Sequence, residues 1–163
     1  MINKINAIVT GGSSGLGEAT ARKILEKGGN VSILDMQEDE AKGLSEEFGE
    51  ACTFFYTDVT SEQSINEALT SVISKYQFIN LLVNCAGIGI ASKVIGKEEL
   101  HDSNIFKKII NVNLVGTFNV LKLVAEKMIE NQPDEDNFRG VIINTASIAA
   151  FDGQIGQAAY SAS

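Results

Sequence analysis

The sequence predicts an α/β protein built on one doubly wound parallel sheet, strand order 3-2-1-4-5, with helices on both faces. Short apolar runs of about five residues alternate with longer amphipathic runs along the chain, which is the rhythm of βαβ units. The first of these runs is almost wholly apolar, as a parallel strand covered on both faces requires. Right-handed crossovers between successive strands then favour that order. The 163 residues fit one domain, 1–163, long enough to bury a sizeable core. No repeat, low-complexity stretch or domain boundary interrupts it.

The first strand spans about 5–10, with Ala7-Ile8-Val9 at its centre. A helix follows over 15–27, with Leu16, Ala19, Ile24 and Leu25 on its apolar face and Gly28-Gly29 at its end. The second strand is 31–35, an acidic amphipathic helix covers 38–48, and Cys52-Thr-Phe-Phe-Tyr56 is the third strand. Thr60-Ser61 caps a helix running to about Tyr76, and 79–84 is the fourth strand. A polar insert of irregular pattern occupies 89–103. The longest helix runs over 104–131, with Ile109, Val112, Val120, Leu121, Leu123, Val124 and Met128 among its apolar positions. A surface loop over 133–137 leads to the fifth strand, 140–145. Tyr160-Ser-Ala-Ser163 reads as the first turn of another helix, so the sheet layer is expected to be incomplete at its C-terminal side.

Thirteen basic and 21 acidic residues give a net charge of −8 without a basic patch, which argues against nucleic acid as a partner. The acidic runs at 38–40, 46–47 and 134–136 read as solvated surface. No apolar run approaches the roughly 20 residues of a membrane span, so no membrane partner is expected. The chain enters a strand at once, leaving no room for a signal peptide. Cys52 and Cys85 are placed in separate strands and read as free, buried, inert thiols of a reducing compartment. An intracellular location follows, cytoplasm or mitochondrial matrix alike. His101, the single histidine, falls in the polar insert and reads as exposed, and no side-chain cluster suggests a metal.

Thr10-Gly-Gly-Ser-Ser-Gly-Leu-Gly17 joins the first strand to the first helix. Strand, glycine turn and helix together form the layout that binds a dinucleotide pyrophosphate. Gly11 permits the tight turn, Gly15 lets the backbone approach the phosphates, and Gly17 lets helix and strand pack closely. The free N–H groups of the first helical turn face the anion. Candidate cofactor contacts here are Gly11, Ser13, Ser14, Gly15, Leu16 and Gly17; an ordinary flexible turn is the alternative. Asp35 ends the second strand, 20 residues after Gly15. A carboxylate there accepts hydrogen bonds from ribose hydroxyls and repels a 2′-phosphate, which argues for NAD over NADP. An Asp in a strand-to-helix turn is the plainer alternative. Asp58 and Val59 follow the third strand and either meet the adenine edge or cap a turn. Asn84-Cys-Ala-Gly87 follows the fourth strand at the carboxyl end of the sheet, where open α/β folds bind ligands. Asn84, Ala86 and Gly87 are therefore candidate contacts, again with a simple turn as the alternative.

With these residues in place, the chain resembles the short-chain dehydrogenase/reductase family, whose domain is a Rossmann fold. Thr10-Gly11-x-x-x-Gly15-x-Gly17 matches the family's cofactor loop and Asn84-Cys-Ala-Gly87 its Asn-x-Ala-Gly motif. Asn113 in Asn111-Val-Asn-Leu114 matches the active-site asparagine, Ser147 the active-site serine, and Tyr160 opens the Tyr-x-x-x-Lys motif. The runs at 83–88, 113–120 and 140–163 resemble the type-2 3-hydroxyacyl-CoA dehydrogenases. That resemblance implies NAD as cofactor, a homotetramer, and oxidation of short-chain 3-hydroxyacyl-CoA thioesters, with hydroxysteroids as secondary substrates.

It also implies roles. Tyr160 as phenolate takes the substrate hydroxyl proton, Ser147 hydrogen-bonds the substrate oxygen, and Asn113 holds a water in a proton relay. A tyrosine with a pKa of about 10 is a poor base at neutral pH, so positive charge from the motif lysine and the oxidised nicotinamide is implied nearby. Gln154 and Gln157 are placed at the substrate mouth, which a polar loop explains equally well. The motif lysine would fall just after Ser163, and the family's last strands and helices are absent from the sequence. Alternatives are reduction of 3-oxoacyl thioesters or steroid carbonyls within the same family, and, in another class, a non-catalytic nucleotide-binding remnant.

Overall fold

The computed structural model describes residues 4–163, so the reading of residues 1–3 as the direct lead into a strand lies outside it. Five strands form one sheet: β1 (Asn6–Thr10), β2 (Asn30–Asp35), β3 (Cys52–Tyr56), β4 (Leu81–Asn84) and β5 (Val141–Asn144). Every pairing is parallel and the order is β3-β2-β1-β4-β5, the doubly wound arrangement expected. Successive strand side chains point to opposite faces, which divides the interior in two. Ala7, Val9, Val31, Ile33 and Val83 meet α1 (Gly15–Glu26) and α2 (Glu38–Phe48) through Ala21, Leu25, Ala41 and Leu44. Ile8, Leu34 and Leu82 face the other way, onto α3 (Glu62–Tyr76) and α5 (Thr117–Ile129), whose Ile65, Leu69, Val72, Val120 and Val124 complete the larger core. Each fully buried Leu, Ile or Val contributes about 1.5–3 kcal/mol relative to exposure. Ser61 caps α3 by accepting from the Ser64 N–H at 3.2 Å.

β5 is covered on one side only. Ile142 packs on the larger core, whereas Val141 and Ile143 on the opposite side stay nearly half exposed, because none of the described helices lies over them.

The long helix predicted over 104–131 occupies Ser103–Ile129 but is not uniform. It runs as α4 (Ser103–Ile110), a π turn (Asn111–Gly116) and α5. The π turn coincides with two outside demands. Asn113 is hydrogen-bonded to a neighbouring loop, and Gly116 is pressed so close to Val59 that an added Cβ would stand 2.7 Å from Val59 Cγ2. By length and composition the helix is apolar enough to cross a membrane, which the sequence reading did not anticipate. Ile109, Val120, Val124 and Met128 of this helix are buried in the domain.

Four local expectations need correction. Leu16 is 75% exposed and Ala19 is also exposed, because at about 100° per residue both lie on the side of α1 away from Gly17, Ala21 and Leu25, the residues it buries. The insert over 89–103 is not simply polar. It forms a small hairpin closed by the Ile95–Leu100 bridge, with Val94, Ile95 and Leu100 exposed. His101 is half-buried at the base of that hairpin, its ring edge-on to Phe106 with centroids 6.1 Å apart. Cys85 lies one residue beyond β4 rather than in it.

Candidate active site

The carboxyl ends of β1, β4 and β5 stop at one level, so Thr10, Asn84 and Asn144 stand side by side in register. Their polar side chains link the three strands. Asn84 Nδ2 donates to Asn144 Oδ1 at 2.9 Å, and Thr10 Oγ1 donates to Asn84 Oδ1 at 3.4 Å. The Thr10 hydroxyl also accepts from the Cys85 and Ala86 N–H groups, both at 3.1 Å, which uses its one donor and both acceptor positions. Thr145 Oγ1 donates to the Asn84 carbonyl at 2.9 Å, tying the segment after β5 to the segment after β4. Asn84, Ala86 and Gly87 therefore belong to a braced ledge rather than to a free turn.

The glycine loop packs against this ledge. Gly11 has φ +64°, and a Cβ there would sit 2.7 Å from the Ala86 nitrogen. At Gly17 a Cβ would overlap the Gly11 carbonyl oxygen, so loop and helix meet without space for a side chain. Gly15 is different: its φ is +54° and nothing stands within 4 Å of where a Cβ would be, leaving an open cradle. Ser14, Gly15 and Leu16 are exposed at the mouth of α1, and no side chain caps its N–H groups. Ser13 turns inward, its hydroxyl buried without a partner among the described residues.

Asp35 ends β2 beside the loop. One carboxylate oxygen accepts from Ser13 N–H at 3.1 Å; the other accepts from Met36 N–H at 2.7 Å and Gln37 N–H at 3.2 Å. Asp58 Oδ1 accepts from the Thr60 N–H and hydroxyl, both at 2.8 Å, so it does cap a turn while its second oxygen has no partner among the described residues. The Val59 side chain is buried in the core, leaving its main chain for any cofactor contact.

Asn113, on the π turn, is clamped to Ile88: its Oδ1 accepts from Ile88 N–H at 2.8 Å and its Nδ2 donates to the Ile88 carbonyl at 3.0 Å. Tyr160 lies in α6 (Ala158–Ser161), its ring 3.8 Å from the position a Gly89 Cβ would take. Ser147 precedes a 3₁₀ turn and its Oγ accepts from Ala149 N–H at 3.2 Å. With that position engaged, its O–H remains able to donate to a substrate oxygen. Ser92 N–H donates to the Gly156 carbonyl at 2.8 Å, strapping the hairpin insert to the loop before α6. Gln157 buries an amide oxygen without a partner among the described residues, while Gln154 is exposed. Phe151 and Ile155, at 87% and 86% exposure, give this rim an apolar surface.

Burial pushes both thiols above their ordinary pKa: Cys52 against a hydrogen bond from Ser45 and the Lys75 charge that act in the opposite direction, Cys85 by burial alone. Both are free thiols, Cys52 buried and Cys85 half-buried. Among the described residues no three His, Cys, Asp or Glu side chains stand together as a metal site. A cavity of about 870 Å³ opens at the opposite end of the sheet, between α3 and α5, lined by residues such as Leu69, Ile73, Phe138 and Arg139; none of the site residues borders it.

Ile88 and Asn144 do not stand out as site residues in the sequence, and Thr10 does so only as the first residue of the glycine loop. Ile88 acts through its main chain, which leaves no compositional mark. Asn144 did leave one, because the two neighbouring runs Leu81-Leu-Val-Asn84 and Val141-Ile-Ile-Asn144 both end in Asn.

The sheet order and the braced glycine loop define a Rossmann-type α/β protein. The family profile described as short chain dehydrogenase matches residues 5–163, and the chain belongs to that family. It is 48% identical over 159 residues to 3-hydroxyacyl-CoA dehydrogenase type-2 of Bos taurus, covering 96% of this chain and 61% of that protein. To the protein of the same name from Drosophila melanogaster it is 46% identical, covering 100% of this chain and 65% of the relative. The crystal structure of 3-hydroxyacyl-CoA dehydrogenase type-2 from Mycobacterium avium superposes with a TM-score of 0.91 at 37% identity, covering 99% of this chain and 64% of that one. The chain thus spans less than two thirds of the length of these relatives. The family implies a nicotinamide cofactor, and the open cradle at Gly15 with uncapped helix N–H groups fits the phosphates of one.

Proposed function

We propose that the chain is a single Rossmann domain, 1–163, of an NAD-dependent oxidoreductase that interconverts a secondary alcohol and a ketone. The substrate pair is short-chain 3-hydroxyacyl-CoA and 3-oxoacyl-CoA, following the name that the similar proteins carry. The observation that carries the reading is the convergence of the Asn113, Ser147 and Tyr160 segments on the ledge at 84–89, directly beside the glycine cradle. Preference for NAD is supported by Asp35, whose negative charge stands where a 2′-phosphate would have to fit.

In this reading Gly11, Ser13, Ser14, Gly15, Leu16 and Gly17 hold the pyrophosphate, and Asp35 accepts from the adenosine ribose. Asp58 and the Val59 main chain border the adenine, and Asn84, Ala86 and Gly87 support the nicotinamide side. When bound, the nicotinamide supplies the hydride acceptor. Tyr160 takes the proton of the substrate hydroxyl through its phenolate oxygen, which needs neighbouring positive charge to exist at neutral pH. Ser147 donates to the substrate oxygen, and Asn113 orders the water that relays the proton. Gln154 and Gln157, with the apolar rim of Phe151 and Ile155, receive the acyl chain.

The partners proposed are a small molecule of acyl-CoA or steroid type and copies of the same chain in a homotetramer, with neither nucleic acid nor membrane. Exposed Leu114, Val115 and Phe118 on the outer side of the long helix support self-association. The proposed location is intracellular, in cytoplasm or mitochondrial matrix. The test is direct. Protein expressed from the complete reading frame is mixed with NAD+ and a short 3-hydroxyacyl-CoA, and absorbance is followed at the reduced-nicotinamide band. Turnover is expected, and Tyr160→Phe should cut it by roughly 10²–10⁴ without weakening NADH binding. No absorbance gain with the wild-type protein would sink the reading.

A further inference from the structure

We propose that Ser163 is a positioning residue that locks the Asn113 side chain to the helix carrying Tyr160. The Asn113 amide offers one acceptor oxygen and two N–H donors. Ile88 takes one of the two lone pairs of the oxygen and one donor, at 2.8 and 3.0 Å, which leaves the second lone pair for a water. Nδ2 also donates to Ser163 Oγ at 3.0 Å. Ser163 Oγ in turn donates to the Tyr160 carbonyl at 3.0 Å, one helical turn back along the chain. The hydroxyl is therefore acceptor and donor at once, a two-way joint between the π turn and α6. Without it Asn113 remains tied to the loop at Ile88 but loses its tie to the tyrosine helix.

The π turn gives this joint its purpose. A widened turn does not hold its side chains in ordinary helical register, so Asn113 depends on outside anchors for its position. Ile88 anchors it to the ledge beside the glycine loop, and Ser163 anchors it to the segment that presents the base. Ser163 acts through Asn113 and Tyr160.

The catalytic part of this inference rests on the dehydrogenase reading, so the test has two readouts on protein expressed from the complete reading frame. In steady-state kinetics Ser163→Ala should lower kcat about tenfold while KM for NAD+ stays within about twofold, since a displaced proton-relay group costs rate rather than cofactor binding. The pH profile of kcat should move with it. Ser163→Thr, which keeps the hydroxyl, should restore both. Independently, the Asn113 side-chain amide is observed by NMR in ¹⁵N-asparagine-labelled protein and assigned by its loss in Asn113→Ala. Ser163→Ala should shift this resonance and speed its hydrogen exchange, whereas Ser163→Thr should leave it in place. Absence of turnover in the wild-type protein would remove the dehydrogenase reading, and the amide resonance would still decide the joint. An amide unmoved in Ser163→Ala, or a Ser163→Thr variant no better than Ser163→Ala, overturns the proposal.

Discussion

Gly11 and Gly15 are both left-handed, yet alanine at the two positions should have different consequences. At Gly15 the backbone angle, φ +54°, is the only obstacle, because the new methyl would stand in open space. A left-handed L-residue costs about 1–2 kcal/mol, and replacing glycine returns about 0.4–1 kcal/mol through the unfolded state. Gly15→Ala should therefore destabilise the fold by about 0–1.6 kcal/mol. At Gly11 the same strain applies at φ +64°, and the methyl also meets main-chain atoms: Ala86 N at 2.7 Å, Ala86 Cα at 2.8 Å and Cys85 C at 2.9 Å. Main chain cannot rotate aside, and Cys85 and Ala86 are held in place by the Thr10 hydroxyl. Overpacking of this kind adds about 1–3 kcal/mol, giving about 1–4.6 kcal/mol in total. Urea unfolding of the two variants, analysed by linear extrapolation, measures the difference. Both should also weaken NADH binding, which nicotinamide fluorescence reports. If Gly11→Ala unfolds within about 0.5 kcal/mol of Gly15→Ala, the close approach of loop and ledge is wrong.

Asp35→Ala removes a charged acceptor and should weaken NADH binding by about 1.5–3 kcal/mol, roughly 10- to 150-fold, while narrowing the gap to NADPH; an unchanged NADH-to-NADPH ratio counts against the role given to Asp35. Cys52 and Cys85 both have pKa values raised by burial, so the folded state keeps its thiol protons where the unfolded chain, with a pKa of about 8.5, releases them. Their contribution to stability is thus intact below that pH and lost as pH rises through the raised folded values. Alkylation at about pH 8.5 should accordingly be slower in native than in urea-unfolded protein, with Cys52 slower than Cys85; equal native and unfolded rates would contradict the burial. Ser32 is fully buried in β2 and its hydroxyl has no partner among the described residues. Ser32→Ala should leave stability unchanged or raise it by up to about 1 kcal/mol, and a clear loss in thermal unfolding would mean that the hydroxyl is bonded.

The regular part of this architecture was legible because it depends on local pattern. The strand run at 52–56 and the helix at 38–48 agree with the sequence to the residue, since a short apolar and aromatic run marks the first and an acidic amphipathic run ending at Gly49 marks the second. The glycine loop was legible for the same reason: its spacing carries its geometry. What stayed hidden depends on contacts between distant segments. Nothing in Asn111-Val-Asn-Leu-Val-Gly116 signals a π turn, because the partners that coincide with it, Ile88 and Val59, lie elsewhere in the chain. Leu16 is apolar yet lies on the side of α1 away from Gly17, Ala21 and Leu25, so residue type pointed to the core where helical spacing points to solvent. The exposed side of β5, by contrast, agrees with the expected incompleteness of the sheet layer at its C-terminal side.

The bracing of the ledge also sets the order in which the site can come into being. Thr10 and Asn84 are 74 residues apart in sequence, and Asn84 and Asn144 are separated by a further 60. Contacts of such span form only after the entropy of closing long loops has been overcome, so they belong late in folding. During synthesis at about 5–20 residues per second, the glycine loop leaves the ribosome roughly 4–15 s before the residues that brace it. For that interval the nascent chain carries its glycine loop without the wall it leans on. A ligand presented to the emerging chain would meet a site only after Asn84 to Gly87 had joined the sheet.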